Sequence, residues 1–411
     1  MIIYQMLPRL WGNGTLQQID TQCMDYFKTL GITHVWYTGI IRHSTGKPYV
    51  KGNPGSPYSI CDYYDVNPYL SQDEGNRMKD FEALVDRTHK AGLKVIIDFV
   101  PNHVSPDYSD SRGGIKTCGY YDYDWSDTLK IDYGYRPNWD KMLDILLFWA
   151  EKGVDGFRCD MVEMVPPEFL KWLIAGVRRR FPQVMFIAEV YTREKYRRYA
   201  YDVGFDLLYD KSGLYDILKE LLDGHGNARK ISWNWQFLQD LQPRMLNFLE
   251  NHDEPRLPKA YPALFVSLLL NRAPFMLYFG EEIGEGALDT EDHRTSIFNK
   301  VEIPSLQRLY QYIHTGEGLK DEERATLAVF RGLMAAAPEW GTTYDLVYCN
   351  LDAPGFRVDS HYIWMRISER GTFLLGANFT KEKADIPVFI PGYVSRINLY
   401  IPPFGGNIIK L

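Results

Sequence analysis

Four short segments each set a charged residue or a histidine at the end of an apolar run. They are Asp98-Phe99-Val100-Pro101-Asn102-His103, Gly156-Phe157-Arg158-Cys159-Asp160, Ile187-Ala188-Glu189-Val190 and Glu250-Asn251-His252-Asp253. Each apolar run has the length of a buried strand, and stretches of helical periodicity separate them. Parallel α/β folds build their sites from polar groups at the carboxyl ends of strands. Asp160, Glu189 and Asp253 thus arrive from three different strands, a pattern that suggests paired-carboxylate chemistry.

The same alternation organises most of the chain. Strands are expected at 2–7, 33–37, 94–98, 155–158, 184–188, 204–208, 245–249 and 275–279. Helices are expected at 16–30, 78–91, 139–152, 167–181, 214–222, 262–270, 306–313 and 323–336. Eight strands alternating with helices predict a parallel sheet closed as a TIM (β/α)8 barrel. An open doubly wound sheet is the alternative. Polar groups cap strands three, four, five and seven, and that dispersion favours a ring of strand ends around one central site.

From about residue 342 the pattern changes. The runs 373–377, 385–390 and 397–401 are short, divided by Gly and Pro, and without helical period. They predict a small antiparallel β domain. The expected division is a catalytic barrel at 1–340 and a C-terminal β-sandwich domain at 341–411. Tyr362, Trp364 and Phe373 in the latter read either as its core or as an exposed sugar platform. Residues 104–136 form a long loop rich in Tyr, Asp and Gly, read as a short inserted loop domain over the barrel mouth after strand three.

Composition narrows the partners. The net charge of −7 argues against nucleic acid and anionic membrane. The apolar stretch 263–280 is broken by Asn271, Arg272 and Pro274, so no membrane span is expected. The five cysteines are odd in number and form no C-x-x-C pair, which argues against a disulfide framework and a structural zinc site. Free thiols in a reducing compartment, hence a cytoplasmic location, are the expectation. The start, Met1-Ile2-Ile3-Tyr4-Gln5-Met6, reads as a strand without a basic start or a cleavage site, so no leader is expected. With 29 Tyr, 21 Phe and 10 Trp, the chain has aromatic surface enough for core packing and for stacking on sugar rings.

Cleaving a glycosidic bond takes a carboxylate nucleophile and a carboxylic acid that protonates the leaving oxygen. Arg158 and Asp160 are two apart on a strand and so share a face. A guanidinium there keeps Asp160 ionised, as a nucleophile requires. Glu189 follows Phe186-Ile187-Ala188, an apolar neighbourhood expected to hold no adjacent cation, so burial raises its pKa, as a general acid requires. Asp253, beside His252, is suited to holding substrate hydroxyls. The competing reading is a set of buried ion pairs; the four segments together, in this order, speak against it.

These residues resemble the α-amylase superfamily, glycoside hydrolase family 13. Asp98-x-x-x-Asn102-His103, Gly156-Phe157-Arg158-x-Asp160, Glu189 and Asn251-His252-Asp253 match its four signature segments in order. Pro57-Tyr58-Ser59-Ile60-Cys61-Asp62-Tyr63 resembles a further motif after strand two. The resemblance implies Asp160 as nucleophile, Glu189 as acid/base and Asp253 as transition-state stabiliser. It implies Tyr58 as a stacking platform, and His103 and His252 as partners of sugar hydroxyls. Arg158 would orient Asp160 at the substrate-binding floor, and Asp98 would brace Arg158. No cofactor is required. Calcium is bound by many relatives; Asn102 matches the usual barrel ligand, with Asp107, Asp110 or Asp122 as further oxygen donors.

Two departures bear on substrate. Starch-degrading members often carry Lys-His shortly after the nucleophile, where this chain reads Glu163-Met164. The insertion after strand three is also short. The expected activity is therefore retaining hydrolysis of α-glucosidic bonds in short α-glucans or maltooligosaccharides. An α-glucanotransferase on the same scaffold is the alternative, and a non-catalytic carbohydrate-binding relative a third reading that the presence of all three acids disfavours. The expected partner is an oligosaccharide.

Overall fold

Short, mostly apolar segments are suited to strands buried on both faces, and here they close into a barrel. In the computed structural model, which describes all residues except 121–124, 288–292, 296, 299–301 and 338–340, its strands are β1 Ile2–Met6, β2 His34–Tyr37, β3 Lys94–Phe99, β4 Gly156–Cys159, β5 Met185–Ala188, β6 Leu207–Tyr209, β7 Met245–Phe248 and β8 Phe275–Tyr278. Neighbours in chain order pair in parallel, and β1 pairs with β8 to close the ring. Alternate residues point inward: Ile3, Trp36, Ile96, Ile187, Leu246 and Met276 fill the barrel as one apolar cluster. The outward set packs against the helices.

Those helices are α1 Thr21–Thr29, α2 Arg77–Lys90, α3 Pro137–Glu151, α4 Pro167–Arg178, α5 Asp216–Leu222, α6 Arg229–Leu238, α7 Tyr261–Leu269, α8 Pro304–Thr315 and α9 Asp321–Ala336. Prolines open α3, α4 and α8, where a missing N–H costs nothing. The continuous helix expected at 16–30 is instead a 3-10 turn at Leu16–Gln18 followed by α1. The break lies at Asp20, whose carboxylate caps α1 by accepting from Cys23 N–H at 3.1 Å. Strand six begins later than expected, because Gly204 ends a wide π turn in the left-handed region (φ 100). Helix α6 was not expected from periodicity, and the hairpin Ile41–His43 with Ile60–Val66 between β2 and α2 was not expected either. Within the long loop after β3, the two-residue strands His103–Val104 and Leu129–Lys130 pair, and Thr117 bridges Ile131. Among the described residues, no helix is long and apolar enough to cross a membrane.

The C-terminal part holds β9 Thr342–Asp345, β10 His361–Ser368, β11 Gly371–Asn378, β12 Ala384–Val388, β13 Ile397–Ile401 and β14 Gly405–Lys410. They form an antiparallel sheet in the order β9-β10-β11-β14 and a two-stranded sheet β12-β13. Gly376 lets the two sheets close on each other: a Cβ there would lie 2.4 Å from Ile401 Cδ1. Arg366 is buried and satisfies the end of α7, donating to Leu269 O at 2.8 Å and Asn271 O at 3.2 Å. Trp364 and Tyr362 are wholly buried, and Trp364 meets Phe265 of α7 edge-on at 5.6 Å. These two rings are core, which removes them as an exposed sugar platform.

Trp364→Ala should therefore act on stability through the seam between sheet and barrel, costing about 3–5 kcal/mol. Urea unfolding monitored by circular dichroism checks this; a loss below about 1 kcal/mol would show that the seam does not depend on the ring.

Candidate active site

Strand register sets the two central acids side by side. Cys159 of β4 pairs with Ala188 of β5, and Asp160 and Glu189 are the next residue on each strand. Glu189 N–H donates to Cys159 O at 3.2 Å. On the other side of β4, Arg158 pairs with Asp98 of β3. Residues two apart on a strand share a face, so Arg158 and Asp160 both point to the barrel axis. From β7, the turn after Asn251 aims Asp253: Asn251 Oδ1 accepts the N–H groups of Asp253 at 2.8 Å and Glu254 at 2.9 Å.

Arg158 has no exposed surface, and its guanidinium spans the acids. Nη1 lies 2.6 Å from Asp160 Oδ1 and 3.8 Å from Asp98 Oδ1, while Nη2 lies 2.9 Å from Glu189 Oε1. The rings of Trp36, Tyr58 and Tyr209 surround it at 5.3–5.5 Å. The expectation that Glu189 has no cation beside it is corrected here. Strand five supplies none, but strand four delivers one across the register.

Electrostatics follow from that count. Burial pushes the carboxyls of Asp98, Asp160 and Glu189 upward, and the single cation Arg158 offsets this only in part. For Asp160 this differs from the sequence expectation, in which the guanidinium alone lowered its pKa. Asp160 and Asp253 add to the rise at Glu189. Asp253 is different: burial raises its carboxyl, but His252 and Arg158 outweigh burial and hold it down at about 2. A proton in this cluster is thus least at home on Asp253.

Beneath the acids lies a second tier. Gln5 of β1 donates its amide to His252 Nδ1 at 2.7 Å, leaving Nε2 facing the Tyr58 hydroxyl at 2.5 Å and Asp253 Oδ2 at 3.0 Å. Tyr58 stacks on His252 with ring centroids 5.1 Å apart, and its hydroxyl reaches Asp98 at 3.2 Å. His103 is buried, which lowers its pKa to about 4 and leaves it neutral; its Nε2 lies 3.1 Å from Tyr58 O. A cavity of about 290 Å³ opens above this tier. Asp160, Glu189, Asp253, Tyr58 and His103 line it, whereas Arg158, His252 and Asp98 sit one layer below. A larger hollow of about 540 Å³ between Met1, Arg272 and Arg370 lies at the amino-terminal ends of the strands, away from the acids.

Several wall residues escaped the sequence reading. Tyr191 donates its hydroxyl to Glu189 Oε1 at 2.6 Å. Strand alternation was the available signal, since Tyr191 is two residues beyond Glu189. Met161 N–H donates to Glu189 Oε2 at 2.8 Å from a left-handed backbone (φ 46), a conformation nothing in a methionine announces. Lys51 and Asp127 pair at 3.7 Å, joining the loop that carries Tyr58 to the loop after β3, and both line the cavity. Glu163, at one of the positions where the resemblance expected Lys-His, has its carboxylate on backbone N–H groups of the loop after β5.

The described residues among those named for calcium are engaged with other partners. The Asn102 amide nitrogen faces His103 Nδ1 at 3.2 Å and the thioether sulfur of Met164 at 3.9 Å, a soft neighbour for a hard cation. Asp107 accepts from Ser44 at 3.0 Å and Ser105 at 2.6 Å. Asp110 pairs with Lys141 at 2.7 Å and also accepts from Tyr108. Asp122 lies outside the described residues. The one cluster of ligating side chains among the described residues, Asp20, Cys23 and His314, is already joined by the helix cap and by a 2.9 Å pair between Asp20 and His314.

The family model "Alpha amylase, catalytic domain" matches residues 9–141. An α-1,4-glucan:maltose-1-phosphate maltosyltransferase of Cereibacter sphaeroides is 30% identical over 253 residues, 53% of this chain and 42% of that protein. A cyclomaltodextrinase of Geobacillus thermopakistaniensis is 23% identical over 94% of this chain and 70% of its own. The chain spans about two fifths of the length of the maltosyltransferases that it matches at 30% identity. A maltogenic α-amylase from Thermotoga neapolitana shares the fold with a TM-score of 0.73 at 21% identity, over 100% of this chain and 96% of that one. The barrel, the ordered signature segments converging on its carboxyl-terminal mouth, and these similarities agree: residues 9–141 match the α-amylase catalytic domain, and the chain as a whole shares the fold of α-amylase structures.

Proposed function

We propose that this protein is a retaining glycosidase that cleaves α-glucosidic bonds in short α-glucans, with residues 1–340 as the catalytic part, 104–136 as its inserted loop and 341–411 as a C-terminal β domain. The observation that carries the reading is the pairing of Asp160 and Glu189 at adjacent register positions under one guanidinium. Retaining enzymes need their two carboxyls close, at about 5–5.5 Å, so that one attacks while the other protonates.

In the first step Asp160 attacks the anomeric carbon, and Glu189 gives its proton to the leaving oxygen. The product is a glycosyl ester on Asp160. In the second step a water attacks the same carbon, loses its proton to Glu189, and releases Asp160. Asp253, ionised across the working pH range, accepts hydroxyl hydrogen bonds and faces the positive charge that develops on the sugar ring. His103 is neutral and forms part of the cavity wall beside Tyr58. The carboxyls perform every proton transfer, so the reaction calls for no cofactor.

Short substrates are favoured by three features. The cavity is at the small end of ordinary ligand sites, about 300–1,000 Å³. Lys51 and Asp127 are paired in the cavity wall, and the Glu163 carboxylate is taken up by backbone N–H groups. Transfer to an acceptor sugar is a second reading, because a relative at 30% identity is named an α-1,4-glucan:maltose-1-phosphate maltosyltransferase. The shared intermediate would then be attacked by a sugar hydroxyl instead of water. Incubation with maltooligosaccharides, isomaltooligosaccharides, sucrose and trehalose, followed by chromatography of the products, separates hydrolysis from transfer; inertness on the whole panel would sink both.

Asp160→Asn should lower turnover by roughly 10³-fold or more while sugar binding persists in calorimetry. Retention of more than a few per cent of activity would assign the nucleophile elsewhere. Glu189→Gln should suppress maltooligosaccharide cleavage strongly and spare glycosylation by an activated aryl α-glucoside, whose leaving group needs little protonation. Because Glu189 must carry its proton, wild-type activity should fall as pH rises through its upward-displaced pKa, and the aryl glucoside should not show that alkaline limb in Glu189→Gln. Equal losses on both substrates would contradict the acid role. Along a series from maltose to maltoheptaose and amylose, kcat/KM should level off at short chains; a steady climb to the longest would indicate extended subsites.

A further inference from the structure

We propose that Glu163 is a positioning residue for Glu189, acting through the backbone of Tyr191 and Thr192 to seat the Tyr191 hydroxyl on the Glu189 carboxyl. The inference deepens the reading of Glu189 as the acid/base and rests on it.

Glu163 lies in the turn Val162–Met164 that follows β4, three residues beyond Asp160. Its Oε2 accepts the backbone N–H of Tyr191 at 2.7 Å and that of Thr192 at 3.1 Å, and its Oε1 pairs with Lys195 at 3.1 Å. These donors outweigh partial burial and keep its carboxyl below the ordinary range, so it is an acceptor at working pH. The contact in the opposite direction comes from the same turn: Met161 N–H donates to Glu189 Oε2 at 2.8 Å. Two loops are thus joined reciprocally. The loop after β4 gives an N–H to the acid of β5, and it receives two N–H groups from the loop after β5.

The consequence falls on Tyr191. Its backbone is clamped by Glu163, its ring lines the cavity at 37% exposure, and its hydroxyl donates to Glu189 Oε1 at 2.6 Å. Burial and the nearby Glu189 push the phenol far above its ordinary pKa, so it stays a donor. A donor on Oε1 favours the ionised form of Glu189 and opposes the upward push of burial and of Asp160. An acid that must give up and regain one proton per turnover works best with a pKa near the operating pH. Glu163 therefore sets the acidity of Glu189 from a distance, without touching it.

The sign of the effect separates this role from simple electrostatics. Deleting the negative charge of Glu163 would by itself lower the pKa of Glu189, whereas releasing the Tyr191 hydroxyl would raise it. The direct measurement is the carbon-13 titration of glutamate δ-carboxyls in labelled full-length protein, with the Glu189 signal assigned by its loss in Glu189→Gln. Tyr191→Phe should raise the Glu189 midpoint by about one pH unit, a tenfold change in its ionisation constant. Glu163→Ala should move it in the same direction. Glu163→Gln, which keeps a carbonyl oxygen for the two N–H groups, should restore most of the wild-type value; where the alanine variant does not fold, Glu163→Asp, whose shorter side chain withdraws the acceptor and keeps the charge, should show the upward shift in its place. The double variant Tyr191→Phe/Glu163→Ala should titrate like Tyr191→Phe alone, as expected of two residues acting along one path. An unchanged or lowered midpoint in Glu163→Ala, a midpoint in Glu163→Gln displaced as far as in Glu163→Ala, or additive shifts in the double variant, overturns the proposal. The titration needs no substrate, so it remains readable if the sugar panel shows no turnover. Wild-type turnover with unmoved midpoints refutes the Glu163 role alone.

Discussion

A single buried guanidinium underlies this site. Removing an ion from water costs several kcal/mol even after relaxation, and Arg158 is tolerable only because carboxylates meet it from β3, β4 and β5. The acids depend on it equally. Asp98, Asp160 and Glu189 crowd around one cation, with Asp253 close enough to act on two of them, so negative charge exceeds positive. The cluster is driven to keep a proton. On the proposed reading, two carboxyls with different surroundings divide the labour of nucleophile and acid.

The barrel turns that electrostatic arrangement into a geometric one. Parallel register fixes which residues of neighbouring strands lie level, and strand alternation fixes which face inward. Asp160 and Glu189 stand level because Cys159 pairs with Ala188, and Arg158 stands below because it is two residues earlier. Trp36, Tyr209 and the Gln5–His252 pair fill the space beneath and leave the acids little freedom to move. Rigid elements thus carry the charged groups, while the loops supply the donors that trim them. Met161 does so from a left-handed backbone and Tyr191 from the end of a clamped loop.

Departures from family expectation are informative for the same reason. Glu163 and Met164 occupy positions where starch-degrading relatives often present cationic side chains, and both are turned inward, one to backbone N–H groups and the other to Asn102. The C-terminal sheet is likewise occupied with packing. Trp364 and Arg366 close the end of α7, and Gly376 permits the sheets to meet.

Local pattern was enough for the barrel. Eight short apolar runs, separated by helical periodicity and stopped by Gly or Pro, have few other ways to bury both faces. The acids were legible because each ends such a run, and the pairing of Arg158 with Asp160 followed from alternation alone. Helix α6, the break at Asp20 and the late start of β6 were not legible, since capping and π turns override periodicity without altering it. Nor was the second partner of Arg158. Its reach to Glu189 depends on the register between two strands, the Met161 contact on a backbone conformation its side chain disfavours, and the Glu163 clamp on two loops meeting in space. The sequence by itself determined which residues could do chemistry and on which strand ends they stand, because strand and helix periods are local. Only the tertiary structure decided which of them touch, because register and loop closure are settled by packing between segments far apart in the chain.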